Sequence, residues 1–340
     1  MKILFSLLAA QDEAANKSIE LARRLIKRSH QVTFLGNFRP EIATILKEQG
    51  ITASENIKDQ VFDGMFIASL GAPAEFANLA QKVPSILLVQ ECANDMMTLR
   101  GDFIHWTSLF RAAKASIFAT ELQRDRVFSS YLNGVDPSRI FVLPSGAEPK
   151  YFSGRKQFER DYFEVVMSSP ILPYTGQREL IATGERLRDY KLIFTFIGNS
   201  SKLESLPEGT RKIIEKSPER YQIIGSKTES ETFEILAKAD LYAHATADCA
   251  WSQGIIDAAA LGLPLMLSDI DAFNSPWKNG INCLKFPVNS PNFIASSMRM
   301  LLQDDVLRSN LSAMGQLTAK RYPYENYYNQ VINLAESCFK

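Results

Sequence analysis

The chain has 340 residues, 38 of them Lys or Arg and 38 Asp or Glu, so it carries no formal net charge, and 46% of it is hydrophobic. A neutral chain of globular composition excludes intrinsic disorder and any global attraction to nucleic acid, and its length exceeds what one core comfortably holds, so two domains are expected. Cys92, Cys249, Cys283 and Cys338 are scattered without paired spacing and without a His in metal-ligand register. They read as reduced thiols, which sets aside a disulfide frame or a zinc site and places the chain in the cytoplasm. No run approaches the length of a membrane span. Met1-Lys2 and the apolar residues 3–10 have the outline of a short signal peptide, but the run is at the lower limit and feeds into a helix, so a buried first strand is expected.

In chain order, residues 2–8 form an apolar run suited to a parallel strand covered on both faces. Ala15, Ile19, Ala22 and Ile26 then recur at helical spacing. The same helix carries Arg23, Arg24, Lys27 and Arg28 within two turns, either a solvated face or a contact with anionic lipid headgroups at a membrane surface. A strand at 31–35, a helix at 41–49 closed by Gly50, and strands at 64–70 and 85–89 around a helix at 74–82 continue the alternation. Residues 91–105 are less regular, and a strand at 115–119, a helix at 121–132 and a strand at 139–143 follow. The Gly- and Pro-rich stretch 146–154 is the linker candidate. Strands at 163–168, 192–197, 222–224 and 240–245 repeat the theme. A helix at 255–261, stopped by Gly262 and Pro264, leads to a strand at 265–268, and helices at 292–302, 306–319 and 327–339 end the chain.

Strand and helix alternating through short joints mean doubly wound parallel sheets. The division expected is an N-terminal Rossmann-like domain over 1–152, a C-terminal one over 153–322, and a last helix within 323–340 packing back on the first domain. Ligands of such sheets bind beyond the carboxyl ends of the strands, so a cleft between two facing sheets is the expected site.

The stretch Asp240-Leu-Tyr-Ala-His-Ala-Thr246, followed by Gly254-Ile-Ile-Asp-Ala-Ala-Ala-Leu-Gly-Leu-Pro264 and Ser268-Asp269, resembles the donor-site signature of retaining glycosyltransferase family 4. Arg139-Ile-Phe-Val-Leu-Pro-Ser-Gly146, Ile223-Ile224-Gly225 and Asn279-Gly280-Ile281-Asn282 add matches in the right order, and the resemblance covers nearly the whole chain. It implies a GT-B fold and transfer of a sugar from a nucleotide-diphosphate sugar, with no further cofactor and no metal, to a glycan, lipid or protein acceptor. The departures are specific. Pro170 and Thr175 stand where the family carries an Arg and a Lys for the donor diphosphate. Cys249 stands at the first signature Glu, Asp257 at the second, and Gln90, followed by Glu91, at a first-domain His.

Breaking the anomeric bond places charge on the leaving diphosphate, and without a metal that charge needs cations and a helix N-terminus. The helix beginning near Gly254 offers the backbone donors of Gln253, Gly254, Ile255 and Ile256. Asp257 either accepts the ribose hydroxyls or caps that helix. Asp248 either replaces the missing Glu or is a turn residue, and together with Gln90 and Glu91 it forms the catalytic set. Gly225, Ser226 and Lys227 form a donor-binding loop directly after a strand, and Lys227 is favoured over Arg178 and Lys202 as a replacement cation. His105 and Trp106 fall in the irregular stretch, on the side where acceptors bind, and His105 reads as a structural hydrogen-bonder more readily than a base. His244 reads as a core His and Trp251 as packing. Two functions follow: an active nucleotide-sugar glycosyltransferase, or a catalytically silent relative that partners or regulates one. An epimerase or phosphorylase of the same fold fits least.

Overall fold

A computed structural model describes residues 1–6, 13–36, 38, 40–57, 60–68, 73–89, 103–155, 160–198, 200–249 and 251–340, with backbone alone at 13–16, 40–42, 45, 73, 74, 103, 127 and 200–202. The chain divides into two compact units, Met1–Pro144 with Asn326–Lys340, and Ser145–Glu325.

The first unit is built on a seven-stranded sheet in the order β3-β2-β1-β4-β5-β6-β7. Its strands are β1 (Lys2–Ser6), β2 (Gln31–Leu35), β3 (Thr52–Ser54), β4 (Gly64–Ile67), β5 (Ser85–Leu88), β6 (Ala115–Phe118) and β7 (Ile140–Val142), all paired in parallel. Central β1 and β4 are apolar on both faces because helices cover both faces of a crossover-connected sheet. The helices are α1 (Glu13–Lys27), α2 (Pro40–Glu48), α3 (Pro73–Ala80) and α4 (Phe103–Ala112). Here His105 and Trp106 depart from the irregular stretch expected for them. Both lie on α4, and Trp106, 3% exposed, packs with Phe110 and Phe128 in the core.

The helix expected over 121–132 is reduced to a short π turn at Gln123–Val127. The buried Gln123 side chain accepts from Ala119 N at 2.8 Å, and Phe128 closes the turn, fully buried against Phe110 and Phe118. An aromatic in that cluster outweighs continuation of the helix, whose apolar spacing gave no sign of the change of pitch.

The closing helix α11 (Tyr324–Cys338) carries its later residues with the first unit. Phe339 sits edge-on to Phe66, in the space left by Gly64. Arg28 reaches Glu336 and Asn333, Arg24 lies over the Tyr328 ring, and Arg23 and Arg24 both bond Glu20. Three of the four cations of the α1 stripe therefore have carboxylate partners within this unit. No helix among the described residues is long and apolar enough to cross a membrane.

The second unit holds a six-stranded parallel sheet in the order β10-β9-β8-β11-β12-β13. Its strands are β8 (Phe163–Ser168), β9 (Leu192–Ile197), β10 (Tyr221–Ile223), β11 (Leu241–His244), β12 (Leu265–Ser268) and β13 (Leu284–Phe286). Its helices are α5 (Gln177–Arg186), α6 (Glu208–Lys216), α7 (Glu229–Lys238), α8 (Gln253–Ala260), α9 (Pro291–Gln303) and α10 (Asp305–Ala319). The strand order reverses between β1 and β4 in one sheet and between β8 and β11 in the other, and at such a switch point the loops diverge and leave a crevice.

Candidate functional site

The second unit's switch point is flanked by the loop after β8 and the segment leading from β11 into α8. Helix α8 starts against it because Gly254 has no side chain: a Cβ there would lie 2.3 Å from the Tyr242 hydroxyl and 3.3 Å from Ser168 Cβ. Tyr242 in turn donates to Ser168 O at 3.1 Å and accepts from Ser168 N at 3.4 Å, so β8, β11 and the first turn of α8 are locked together. With Ser252 as the N-cap, the N–H groups of Gln253, Gly254 and Ile255 are among those a helix leaves without intrahelical acceptors, whereas the Ile256 N–H falls in the ladder; the Ser252 side chain makes no capping bond. The helix expected to begin near Gly254 begins at Gln253, with Gly254, Ile255 and Ile256 buried.

Asp257 lies inside α8 and is 7% exposed, so it does not cap the helix. Its Oδ1 instead accepts from Gln253 Nε2 at 2.9 Å. The same Nε2 donates to Gly146 O at 2.9 Å, and Gln253 Oε1 accepts from Ser145 Oγ at 2.8 Å.

The loop after β8 closes on itself. Thr175, at the position where the family resemblance implies a Lys, has its hydroxyl 2.6 Å from Gln177 Oε1 and 2.8 Å from Pro170 O, and it accepts from Leu172 N at 3.0 Å. Gln177 Nε2 completes the stitch by donating to Pro170 O at 2.9 Å. Gly176 is left-handed, φ 93°, and a Cβ on it would meet Ala245 O at 2.2 Å. Short neutral side chains at 170 and 175 thus permit a tight turn that a long cation would have to open.

The replacement cations are engaged. Arg178 bonds Glu179 through Nε at 2.8 Å, and Lys227 Nζ lies 3.5 Å from Glu231 Oε1. Glu231 belongs to a capping box with Thr228 at the start of α7, and hydrogen bonds from Thr228 hold its carboxyl below the ordinary range. The Lys202 side chain lies outside the described residues, as do Gln90 and Glu91. Gly225 is left-handed, φ 74°, and its carbonyl accepts from Gly198 N at 3.1 Å, which brings the loop with Ser226 and Lys227 beside the end of β9.

Asp248 is half-buried, and its backbone N and O both bond the Thr246 hydroxyl, at 3.3 and 2.8 Å. This segment is a hydroxyl-anchored turn, pinned to the β8 loop where Ala247 N donates to Tyr174 O at 2.8 Å. Cys249, at the signature Glu position, is half-buried beside it. His244 is a core residue: burial pushes its pKa down to about 3, and the neutral ring stacks on Tyr242. Trp251 packs on Tyr322 with ring centroids 5.4 Å apart.

Reasoning from sequence missed the side chain of Gln253, Ser145, Gln177 and Tyr242. Only Tyr242 carried a signal, as the large residue in a buried strand facing a glycine.

The matching folds define the class. The chain has the GT-B fold of two Rossmann-like units: the Anabaena protein HepE, solved with UDP and glucose, superposes with a TM-score of 0.81, covering 99% of this chain and 100% of that one at 14% identity. By sequence the chain is similar to phosphatidyl-myo-inositol mannosyltransferases. It is 24% identical to that of Mycobacterium leprae over 156 residues, 44% of this chain and 38% of the relative. It is 25% identical to that of Mycobacterium tuberculosis (strain CDC 1551 / Oshkosh) over 216 residues, 60% of this chain and 53% of the relative. The match thus spans about half the length of these curated relatives or less. No protein-family model matches the chain.

Proposed function

We propose that the second unit binds a nucleotide-diphosphate sugar at the first turn of α8 and that the chain transfers its sugar to a glycan, lipid or protein acceptor, with retention of configuration and without a metal ion. The observation that carries this reading is the start of α8 at the switch point, with the N–H groups of Gln253 to Ile255 in its first turn and no capping bond from Ser252. Those donors and the helix dipole would take up charge on the leaving diphosphate. Asp257, held by Gln253, would accept the ribose hydroxyls, and the loop Gly225, Ser226, Lys227 would receive the base while Lys227 adds positive field. Asp248, Gln90 and Glu91 are assigned to the reacting sugar. The mannosyltransferase relatives and the UDP- and glucose-bound neighbour support a nucleotide-sugar donor. The lipid in the relatives' name favours a lipid acceptor and, with Lys27 of α1, a peripheral contact on the cytoplasmic face of a membrane.

A specific observation supports a second reading, a silent relative that partners an active transferase. The diphosphate loop is stitched shut by Thr175 and Gln177, and Arg178 and Lys227 each face a carboxylate. Thermal shift with uridine and guanosine diphosphates and their sugar conjugates separates the two. A rise with one of them, suppressed in Asp257→Ala, supports the donor site. No rise with any overturns it and favours the partner.

A further inference from the structure

We infer that Gln253 is a positioning residue: its carboxamide, oriented by Ser145, fixes the Asp257 carboxylate for ribose recognition and fastens the first turn of α8 to the backbone at Gly146. This rests on the donor-site reading above and deepens it.

The orientation of the amide follows from its neighbours. A carboxamide offers one face that only accepts and one that only donates. Ser145 Oγ supplies a hydrogen to Oε1 at 2.8 Å. On the other side lie two acceptors, Gly146 O and Asp257 Oδ1, both 2.9 Å from Nε2. The two Nε2 hydrogens match the two acceptors. Flipping the amide would set its oxygen against a carbonyl and a carboxylate, so one orientation is selected.

The consequence for Asp257 is geometric. Gln253 and Asp257 are four residues apart, one turn of the same helix face, so the bond runs along α8 and draws the carboxylate toward the helix start. Asp257 is 7% exposed, and a buried carboxylate stays charged only where donors compensate it. The Gln253 donor supplies part of that compensation. Ser145 reaches across 108 positions of sequence to set it, so the segment where the second unit begins is wired to the group proposed to read the sugar of the nucleotide.

The test compares binding of uridine and guanosine diphosphates with that of their 2′,3′-dideoxy analogues, by calorimetry, in the wild-type chain, Gln253→Met, Ser145→Ala and Asp257→Ala. Methionine keeps the length and bulk of glutamine and removes the amide. The ratio of ribo to dideoxy affinity is the readout, because general loosening of the fold lowers both affinities together. In Gln253→Met the ratio is expected to fall about three- to tenfold, the size of an ordinary net hydrogen bond. Ser145→Ala is expected to lower it less, and Asp257→Ala to bring it near one. A wild-type chain that discriminates through Asp257, with an unchanged ratio in Gln253→Met, overturns the positioning role and leaves the donor site standing. A wild-type chain that binds neither diphosphate overturns both.

Discussion

Gly254 lies under the Tyr242 hydroxyl so closely that a methyl group on it would come within 2.3 Å of that oxygen and 3.2 Å of the ring carbon that bears it. Two effects compete in Gly254→Ala. Alanine favours helix over glycine by about 1 kcal/mol in a helix interior, and by less in a first turn. Overpacking costs about 1–3 kcal/mol, and here the displaced group is a buried hydroxyl bonded to Ser168 rather than a free side-chain end. Net destabilisation is expected in urea unfolding. Adding Tyr242→Phe to Gly254→Ala removes the oxygen and should recover part of the loss; a double variant as unstable as the sum of the singles would mean the contact is not what the glycine serves.

A second relationship sets a pH dependence. Lys150 Nζ lies 2.9 Å from Glu148 and 3.3 Å from Glu229, and Tyr324 donates to Glu148 at 2.8 Å. Burial, with the Glu148 carboxyl beside it, pushes Glu229 up to about 7. Burial alone would raise Glu148 too, but hydrogen bonds with Glu229, Lys150 and Tyr324 overcome it and leave that group below its ordinary value. A carboxyl raised in the folded state binds more protons there than in the unfolded chain, so it lowers stability as pH climbs from its unfolded value of 4.5 through about 7. Glu148, lowered, stabilises above its unfolded value and adds no slope in that window. Glu229→Gln should therefore gain stability relative to wild type between pH 5 and pH 8, read as the difference in Tm. A constant difference would show that Glu229 does not titrate there.

The parallel sheets were legible because buried strands hold unbroken apolar runs such as 65–67 and 86–88, and the helix stopped at Gly262 because glycine and proline end it together. The strands β3, Thr-Ala-Ser, and β13, Leu-Lys-Phe, escaped because neither is an apolar run. Lys227 drew attention as a cation after a strand, while Thr228 and Glu231, three apart, spelled the capping box that keeps a carboxylate beside it. The Gln253 relay was out of reach for another reason. Its partners Ser145 and Gly146 are more than a hundred positions away, and no local pattern encodes a tertiary hydrogen bond.

The end of the chain supplies a packing test. A Cβ on Gly64 would sit 2.1 Å from Phe339 Cγ, and Phe339 is 4% exposed. Gly64→Ala must expel or shift the ring. Phe339→Ala alone leaves a void, at about 3–5 kcal/mol for a fully enclosed phenylalanine and less where a terminal residue can relax. In the double variant the new methyl occupies vacated space. The two effects should fall short of additivity by about 1–3 kcal/mol in a double-mutant cycle, whereas simple additivity would detach Phe339 from β4.

Lys227 offers the most direct test of how the diphosphate would be held. Its amine faces Glu231 at 3.5 Å, and hydrogen bonds from Thr228 keep that carboxylate charged. A cation with a permanent counter-charge presents a weakened field to a third group, and at the surface salt weakens it further. Lys227→Ala should therefore lower nucleotide-diphosphate affinity by no more than about threefold, with the loss vanishing as salt is raised. Glu231→Gln makes the opposite case. Glutamine serves a capping box as glutamate does, so α7 keeps its start, while the charge that masks Lys227 is gone. Affinity should rise in that variant, and the rise should disappear when Lys227→Ala is added. If Glu231→Gln binds as the wild type does, Lys227 does not face the diphosphate, and the first turn of α8 must hold it without that amine.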